Sequence, residues 1–161
     1  MNDWFVLYLR PRTEKKLAEF CRLHHLPHYL PLRRETKIYQ RRRVTVEKPV
    51  FPGYFFTSFD AEGRQNILKT NHVVRILQPA SRRQLLHELA QIRRALRVDP
   101  ALGTGPALTA GRRVRIHSGP FMGIEGVVQN LKGKTKVCLN VELIGRAIVV
   151  EVEREFLELV P

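Results

Sequence analysis

The sequence predicts an α+β fold, in which an N-terminal antiparallel sheet with helices precedes a small all-β barrel. Strand-like apolar runs alternate with helical spacing over residues 1–97. Two prolines and two glycines crowd the segment 98–108, which predicts a flexible linker without helix or strand. Residues 109–161 contain only short strand patterns separated by Gly-rich turns. We therefore expect two domains, each near the lower size limit for a self-sufficient core.

The first domain alternates strands and helices along the chain. Residues 4–9 predict a buried strand, and Thr13 is expected to cap the helix that follows. Basic segments at 37–40 and 43–47 predict the two arms of a hairpin. A capping box, Ser-x-x-Gln at 81–84, begins the last helix. Between them lie a strand, a helix and a strand, at 53–59, 62–69 and 73–77. This order is typical of a split β-α-β arrangement.

The second domain contains four predicted strands: 113–117, 126–130, 136–143 and 147–153. Gly-rich turns are expected between them, at 119–123, 132–134 and 145–146. Alternate residues from Val137 to Leu143 are apolar, as in a barrel wall with one dry side. Because the last strand is rich in valine, we expect a stable barrel that does not refold into helices.

Positive charge is concentrated in the first domain. The chain carries 28 Lys and Arg against 15 Asp and Glu, a net charge of +13. The first 97 residues account for +12 of this charge, which predicts a polyanionic partner for that domain alone. A single arginine is usually only solvated surface, whereas the total indicates DNA binding. The candidate DNA contacts lie at the first strand-to-helix turn and at the hairpin tip: Arg10, Arg12, Lys15, Lys16, Arg41, Arg42 and Arg43.

Several functional classes find no support in the sequence. No nucleophile motif, phosphate-binding loop or paired carboxylates are evident, so we expect neither an enzyme, including a nuclease, nor a cofactor. His24, His25 and His28 straddle a predicted helix end with no fitting cysteine or carboxylate nearby, which argues against a metal site. Two distant cysteines, no apolar run of membrane-spanning length and no signal peptide predict a cytoplasmic protein without membrane contact.

Aromatic and apolar side chains suggest two protein-binding surfaces. Tyr54 and Phe56 lie two residues apart on one strand and therefore share a face, while Phe55 points to the core. Aromatic side chains with polar tips are common anchors of interfaces, although the same face could be covered by the protein's own helices. Phe121 and Met122 fall in a turn of the barrel, where apolar side chains suggest contact with a second partner.

Motifs in both domains resemble one known family. The segments Trp4-Phe5-Val6-Leu7, Arg10-Pro11-Arg12, Tyr29-Leu30-Pro31 and, above all, 47–56 (Glu-Lys-Pro-Val-Phe-Pro-Gly-Tyr-Phe-Phe) are similar to the N-terminal (NGN) domain of the NusG family of transcription elongation factors. Residues 110–116, followed by the glycine-containing stretch 119–128, resemble the KOW motif that forms that family's C-terminal barrel. KOW motifs also occur in ribosomal proteins, so an RNA-binding or ribosomal protein is the alternative.

The resemblance implies a monomeric factor that binds the clamp helices of RNA polymerase and suppresses pausing or termination. At the matching positions, the polymerase contacts would be Tyr8, Tyr54 and Phe56, with Gln65, Asn66 and Ile67 reaching the opposite lobe. It further implies that the non-template strand or the upstream duplex is the DNA bound. The KOW domain would recruit a ribosomal small-subunit protein or the termination factor Rho. The short chain and its large positive charge favour a specialised, RfaH-like paralogue over the general factor.

Overall fold

A computed structural model of the chain describes residues 3–129 and 134–161. The helices are α1 Glu14–Leu23, α2 Ala61–Leu68 and α3 Arg82–Val98. The first six strands are β1 Trp4–Leu9, β2 His28–Tyr29, β3 Leu32–Tyr39, β4 Arg42–Pro49, β5 Tyr54–Ser58 and β6 Val73–Leu77. The remaining strands are β7 Gly103–Pro106, β8 Arg112–Ile116, β9 Glu125–Val128, β10 Lys134–Val141, β11 Arg146–Glu153 and β12 Leu157–Leu159. The predicted α+β class is confirmed. The turn expected at 132–134 lies mostly outside the described residues.

The chain divides into two compact units. The first contains residues 1–32 and 49–85, and the second contains residues 33–48 and 86–161. The second unit therefore takes in the β3–β4 hairpin and most of α3, both of which the sequence analysis assigned to the first domain. No helix among the described residues is long and apolar enough to cross a membrane.

The first unit is built on a four-stranded antiparallel sheet with the order β2-β5-β1-β6. One face of β1 and β5 carries Leu7 and Phe55, which are fully buried and pack against Leu17 and Cys21 of α1. Ile67 of α2 joins the same cluster. Strands β1 and β6 match their predicted bounds. The run of β1 is continuously apolar, and that of β6 is apolar apart from Arg75.

The β3–β4 hairpin turns through two residues, Gln40 and Arg41. Their φ angles of 48° and 66° are left-handed, as a two-residue hairpin turn requires. Glycine or asparagine is usual at positions with left-handed φ, and neither residue marks the turn here. The prediction, which joined the arms near Arg41 and Arg42, therefore lay one residue too late. The arms are longer than predicted, since β3 begins at Leu32 and β4 ends at Pro49.

The second unit contains a six-stranded sheet with the order β12-β8-β9-β10-β11-β7. Strands β8 to β11 correspond to the four predicted strands. Val137, Leu139 and Val141 are buried as predicted, whereas Leu143 is 38% exposed because a short 3₁₀ turn, Glu142–Ile144, follows β10. The series of buried apolar side chains at alternate positions of β10 therefore ends at Val141.

Part of the predicted linker is a strand. Gly103–Pro106 forms β7, which pairs with Arg146–Val149 of β11. The glycines and the proline of this segment predicted that no strand would form. However, β7 is an edge strand, so no further strand of the described residues pairs with its outer side, and the backbone N–H that Pro106 lacks is not needed there. The expectation of an unstructured segment over 98–108 is therefore wrong for residues 103–106.

The helix starts differ in how they are capped. The Ser81 hydroxyl accepts a hydrogen bond from the backbone N–H of Gln84 at 3.1 Å, which confirms that part of the capping box at the start of α3. At α1, Thr13 is the N-cap residue but makes no side-chain cap. Its hydroxyl instead donates to the carbonyl of Arg10 at 2.7 Å, so the predicted Thr13 cap is wrong.

Helix α3 packs with the C-terminal sheet inside the second unit. The Gln91 carboxamide oxygen accepts from the backbone N–H of Glu125 at 2.9 Å, and Gln91 is 7% exposed. The Glu88 carboxylate accepts from the backbone N–H of Glu142 at 3.1 Å. Because both acceptors lie on α3, most of this helix serves as part of the second unit.

Burial makes Cys21 a source of pH dependence. Desolvation raises the pKa of its thiol from 9.0 to about 11, against a smaller lowering by its hydrogen bond with Thr57. As pH rises above 9 the unfolded chain loses this proton first, so the folded state should lose stability between pH 9 and 11. Urea unfolding across this window should show a smaller decline for Cys21→Ala than for the natural chain. Equal declines would contradict this assignment.

Candidate functional site

Two tyrosines form an exposed aromatic pair on the sheet of the first unit. Tyr8 of β1 lies directly opposite Tyr54 of β5, and their ring centroids are 5.4 Å apart at an angle of 48°. Tyr8 is 43% exposed and Tyr54 is half-buried. They occupy the face opposite Leu7 and Phe55, since side chains alternate along a strand. The pair thus combines apolar rings with polar tips at a solvent-facing position.

The loop before β5 holds this pair in place. The backbone N–H of Gly53 donates to the Glu14 carboxylate at 3.0 Å, and the Gly53 carbonyl accepts from the N–H of Leu9 at 2.7 Å. Glu14 is only 6% exposed, so its carboxylate serves the internal structure of the unit. Glu14 was not among the site residues predicted from the sequence. Its signal was an acidic residue at the first helical position, which also favours the positive end of α1.

Gly53 is required by both its conformation and its surroundings. Its φ of +86° is left-handed, and a Cβ atom there would lie 3.2 Å from Cε1 of Tyr8. We expect Gly53→Ala to lower the free energy of unfolding by about 1–2 kcal/mol. Gly103→Ala is the matched control, because a Cβ at Gly103 meets nothing within 4 Å. Urea denaturation of both variants checks this expectation, and equal stabilities would contradict it.

Two of the predicted polymerase contacts are buried. Phe56 is 0% exposed, although it shares a strand face with Tyr54, and Ile67 is 0% exposed within the core cluster. Helix α2 presents Gln65 as exposed and Asn66 as half-buried. The resemblance implied a contact role for all of these positions. In this structure Phe56 and Ile67 have no surface to offer a partner.

The first basic cluster surrounds the turn between β1 and α1. Arg10, Arg12, Lys15 and Lys16 are all exposed. The Arg10 guanidinium donates through Nε to the carbonyl of Asn71 at 2.8 Å, which fixes its stem, and among the described residues its other N–H groups have no partner. Arg12 has a left-handed φ of 63°, so the chain turns sharply there. The cluster is compatible with a phosphate backbone.

The second basic cluster lies on the β3–β4 hairpin of the second unit. Arg41, Arg42 and Arg43 are exposed at its tip. Nearer its base, Glu35 forms ion pairs with Lys48 at 2.9 Å and with Lys37 at 3.8 Å. The hydrogen bond from Lys48 is the largest cause of the lowered pKa of Glu35. These pairs engage Glu35 at the base of the hairpin, whereas Arg41, Arg42 and Arg43 form its exposed, charged end.

Comparison with known proteins identifies the family. The family model described as "Transcription termination factor nusG" matches residues 2–94, which is more than half of the chain. The chain belongs to the NusG family. NusG-family proteins are non-enzymatic transcription factors, and membership supports a role in transcription elongation with RNA polymerase as partner. The matched residues include the Tyr8–Tyr54 pair and the turn between β1 and α1.

Two solved structures are similar along almost the whole chain. They are titled "Crystal Structure of MjSpt4:Spt5 complex", conformations B and A. The first is 16% identical and covers 98% of this chain and 96% of its own, with a TM-score of 0.33. The second is 17% identical and covers 98% and 97%, with a TM-score of 0.28. The NusG-family assignment rests on the family match.

The remaining candidate residues are also accounted for. Met122 is 65% exposed and Phe121 half-buried in the turn before β9. The ring of His24 stacks on that of Phe20 with 4.1 Å between ring centroids, and the ring of His28 stacks on that of Phe55 with 5.8 Å between centroids. Across residues 3–129 and 134–161, no group of three or more His, Cys, Asp or Glu side chains could hold a metal ion.

Proposed function

We propose that this NusG-family chain binds the clamp helices of RNA polymerase through the Tyr8–Tyr54 pair and suppresses pausing or termination. The exposed aromatic pair within the family-matched region is the observation that carries the proposal. Tyrosines presented on a rigid sheet lose little conformational freedom on binding, so they suit an interface anchor. Phe56, buried on the same face as Tyr54, and Ile67, buried in the core on the other face, are not proposed contacts. Gln65 and Asn66 are the proposed contacts to the opposite lobe, since they border α2's exposed side.

The proposed DNA contacts are the two basic clusters. Arg10, Arg12, Lys15 and Lys16 surround the start of α1, and Arg41, Arg42 and Arg43 form the charged end of the hairpin. Exposed guanidinium and ammonium groups bind phosphate without reading sequence. In the proposed complex they follow the non-template strand or the upstream duplex while the tyrosines hold the polymerase.

Neutralising two cations should change the salt dependence of DNA binding. For Arg12→Gln combined with Lys16→Gln, we expect the negative slope of log K against log salt on duplex DNA to become shallower by about 1.8, because each phosphate contact contributes about 0.9 to its magnitude. Arg22→Gln is the matched control, because Arg22 already forms an ion pair with Glu19 on the same helix. Fluorescence anisotropy across a salt series measures the slope. Equal slopes for the double variant and the control would remove α1 from the DNA interface.

The proposed contact for a second partner is the turn that carries Phe121 and Met122. Met122 is exposed, although it is a large apolar side chain, and the left-handed Gly119 and Gly123 bracket the turn. A ribosomal small-subunit protein or Rho is the proposed partner of this KOW-like region. The exposed methionine gives such a partner a flexible apolar contact.

We further propose that the chain is a specialised paralogue serving selected operons. Its net charge of +13 fits recruitment through DNA. In vitro transcription with the host polymerase tests the function. Pause lifetimes should shorten when the protein is added, and more so on templates that carry the upstream region of its own operon. Unchanged pausing on every template would contradict the proposed function, and equal shortening on all templates would contradict the specialisation.

A further inference from the structure

We propose that the β3–β4 hairpin carries a base-stacking site for single-stranded DNA, formed by Tyr39, Arg42 and Val44. This inference rests on the DNA contact that the proposed function gives to the hairpin and adds the kind of strand bound. The basic tip alone explains attraction to any polyanion. The apolar side chains beside it require a different explanation.

Large apolar side chains stand in solvent at this tip. Tyr39 is 67% exposed, Ile38 is 79% exposed and Val44 is 40% exposed. Within residues 3–129 and 134–161, the Tyr39 side chain makes no hydrogen bond, ion pair or ring contact. One exposed apolar residue is ordinary, but Tyr39 and Val44 are both exposed near the same tip, and Ile38 beside them is exposed as well. The tyrosine ring is therefore available on its flat side.

The register of the hairpin places Tyr39 beside a cation. The two-residue turn Gln40–Arg41 sets Tyr39 opposite Arg42. The hydroxyl oxygens of Thr36 and Thr45, three pairs further along, are 3.5 Å apart, which agrees with that register. Cross-strand partners lie on the same face of a ribbon. The Tyr39 ring and the Arg42 guanidinium therefore share one face of the tip.

The same alternation defines the rest of this face. Lys37 and Val44 are the next cross-strand pair on the Tyr39 side. Further along, Glu35 forms ion pairs with Lys37 and Lys48, as side chains on one face of the ribbon can. Ile38 and Arg43 occupy the opposite face. The Tyr39 face thus presents an aromatic ring and a valine between two cations.

Single-stranded DNA fits this arrangement. Unpaired bases expose flat apolar surfaces that stack on aromatic side chains, while basic groups hold the flanking phosphates. In a duplex the base faces are already covered by neighbouring bases, so a tyrosine at a hairpin tip finds no surface to stack on. The hairpin from Leu32 to Pro49 contains seven Lys or Arg and two Glu, a net charge of +5, which favours a polyanion over an apolar protein surface.

The test measures DNA binding by the full-length chain without polymerase, by fluorescence anisotropy. The probes are a mixed-sequence DNA single strand, its duplex, the same strand with abasic sites and an RNA of the same sequence. We expect Tyr39→Ala to weaken single-strand binding by about 5- to 100-fold with an unchanged salt slope, and Tyr39→Phe to retain binding. Arg42→Gln should make the negative single-strand salt slope shallower by about 0.7. Ile38→Ala, on the other face, is the matched control and should bind like the natural chain.

Four nucleic-acid binding results would overturn the stacking site. They are unchanged single-strand binding by Tyr39→Ala, an equal loss on the duplex, an equal loss on the abasic strand, and tighter Tyr39-dependent binding to RNA of the same sequence. Loss of polymerase binding by Tyr39→Ala without any change in DNA binding would assign the patch to a protein contact and also overturn it. Because the DNA assay contains no polymerase, its failure leaves the proposed role of the Tyr8–Tyr54 pair intact.

Discussion

Replacing Tyr8 and Tyr54 together with alanine is expected to weaken binding to core RNA polymerase by about 30- to 1,000-fold. Central aromatic anchors of interfaces commonly contribute about 2 kcal/mol or more, and two neighbouring anchors are not fully additive, so we expect a total of about 2–4 kcal/mol. The rings are in contact and lie on a solvent-facing part of the sheet. Their loss should cost the free chain only about 0.5–1.5 kcal/mol of stability.

Titration of polymerase with labelled protein, in the absence of DNA, measures this affinity. Tyr39→Ala is the matched control, since Tyr39 is an exposed tyrosine on the hairpin of the second unit. We expect the control to bind like the natural chain. An affinity for the double variant within threefold of the natural protein would remove these two side chains from the interface.

Phe56→Ala is expected to lower the stability of the fold rather than remove a direct contact with polymerase. Phe56 is fully buried and pairs in register with Val6 of β1 and Tyr29 of β2. Removing a buried phenylalanine leaves a cavity, so we expect the free energy of unfolding to fall by about 3–5 kcal/mol. This result would separate Phe56 from Tyr54, although the two lie two residues apart and the sequence assigned them the same role.

Fluorescence of Trp4 reports this unfolding, because it is the chain's one tryptophan and its strand pairs with β5. Tyr54→Ala serves as the comparison on the same strand and should unfold within about 1.5 kcal/mol of the natural chain. If Phe56→Ala were as stable as Tyr54→Ala, the ring would not be part of the packed interior, and a contact role for Phe56 would regain support.

The sequence predicted most of the fold because its apolar patterns are strong. The continuous apolar run at Trp4–Leu9 and the valine-rich β11 favour a strand through their own residue types, and both form strands. Prediction from local residue preferences was wrong where contacts with distant parts of the chain determine the structure. Gly103–Pro106 became an edge strand because β11 offered a pairing partner, and Gln40 and Arg41 adopted left-handed angles because the hairpin required them. Neither the pairing of β7 with β11 nor the constraint that the hairpin places on its turn can be read from a short stretch of neighbouring residues.

The candidate site was only partly predictable for the same reason. Alternation along β5 placed Tyr54 and Phe56 on one face correctly, but it carries no information on which part of that face is covered. Ile67 lies at a position compatible with either surface or core, and only the packing of α2 buries it. The Glu14–Gly53 hydrogen bond joins residues far apart in the chain, so no spacing rule reveals it.

Photo-cross-linking from position 54 tests the central claim most directly. With Tyr54 replaced by benzoylphenylalanine, irradiation of the complex with core RNA polymerase should give a covalent adduct with the subunit that carries the clamp helices. The same residue at Leu23 is the control, because Leu23 is 60% exposed at the end of α1, the helix that covers the opposite face of the sheet. Position 23 should give little adduct. A polymerase-bound protein that cross-links no better from position 54 than from position 23 would contradict the account.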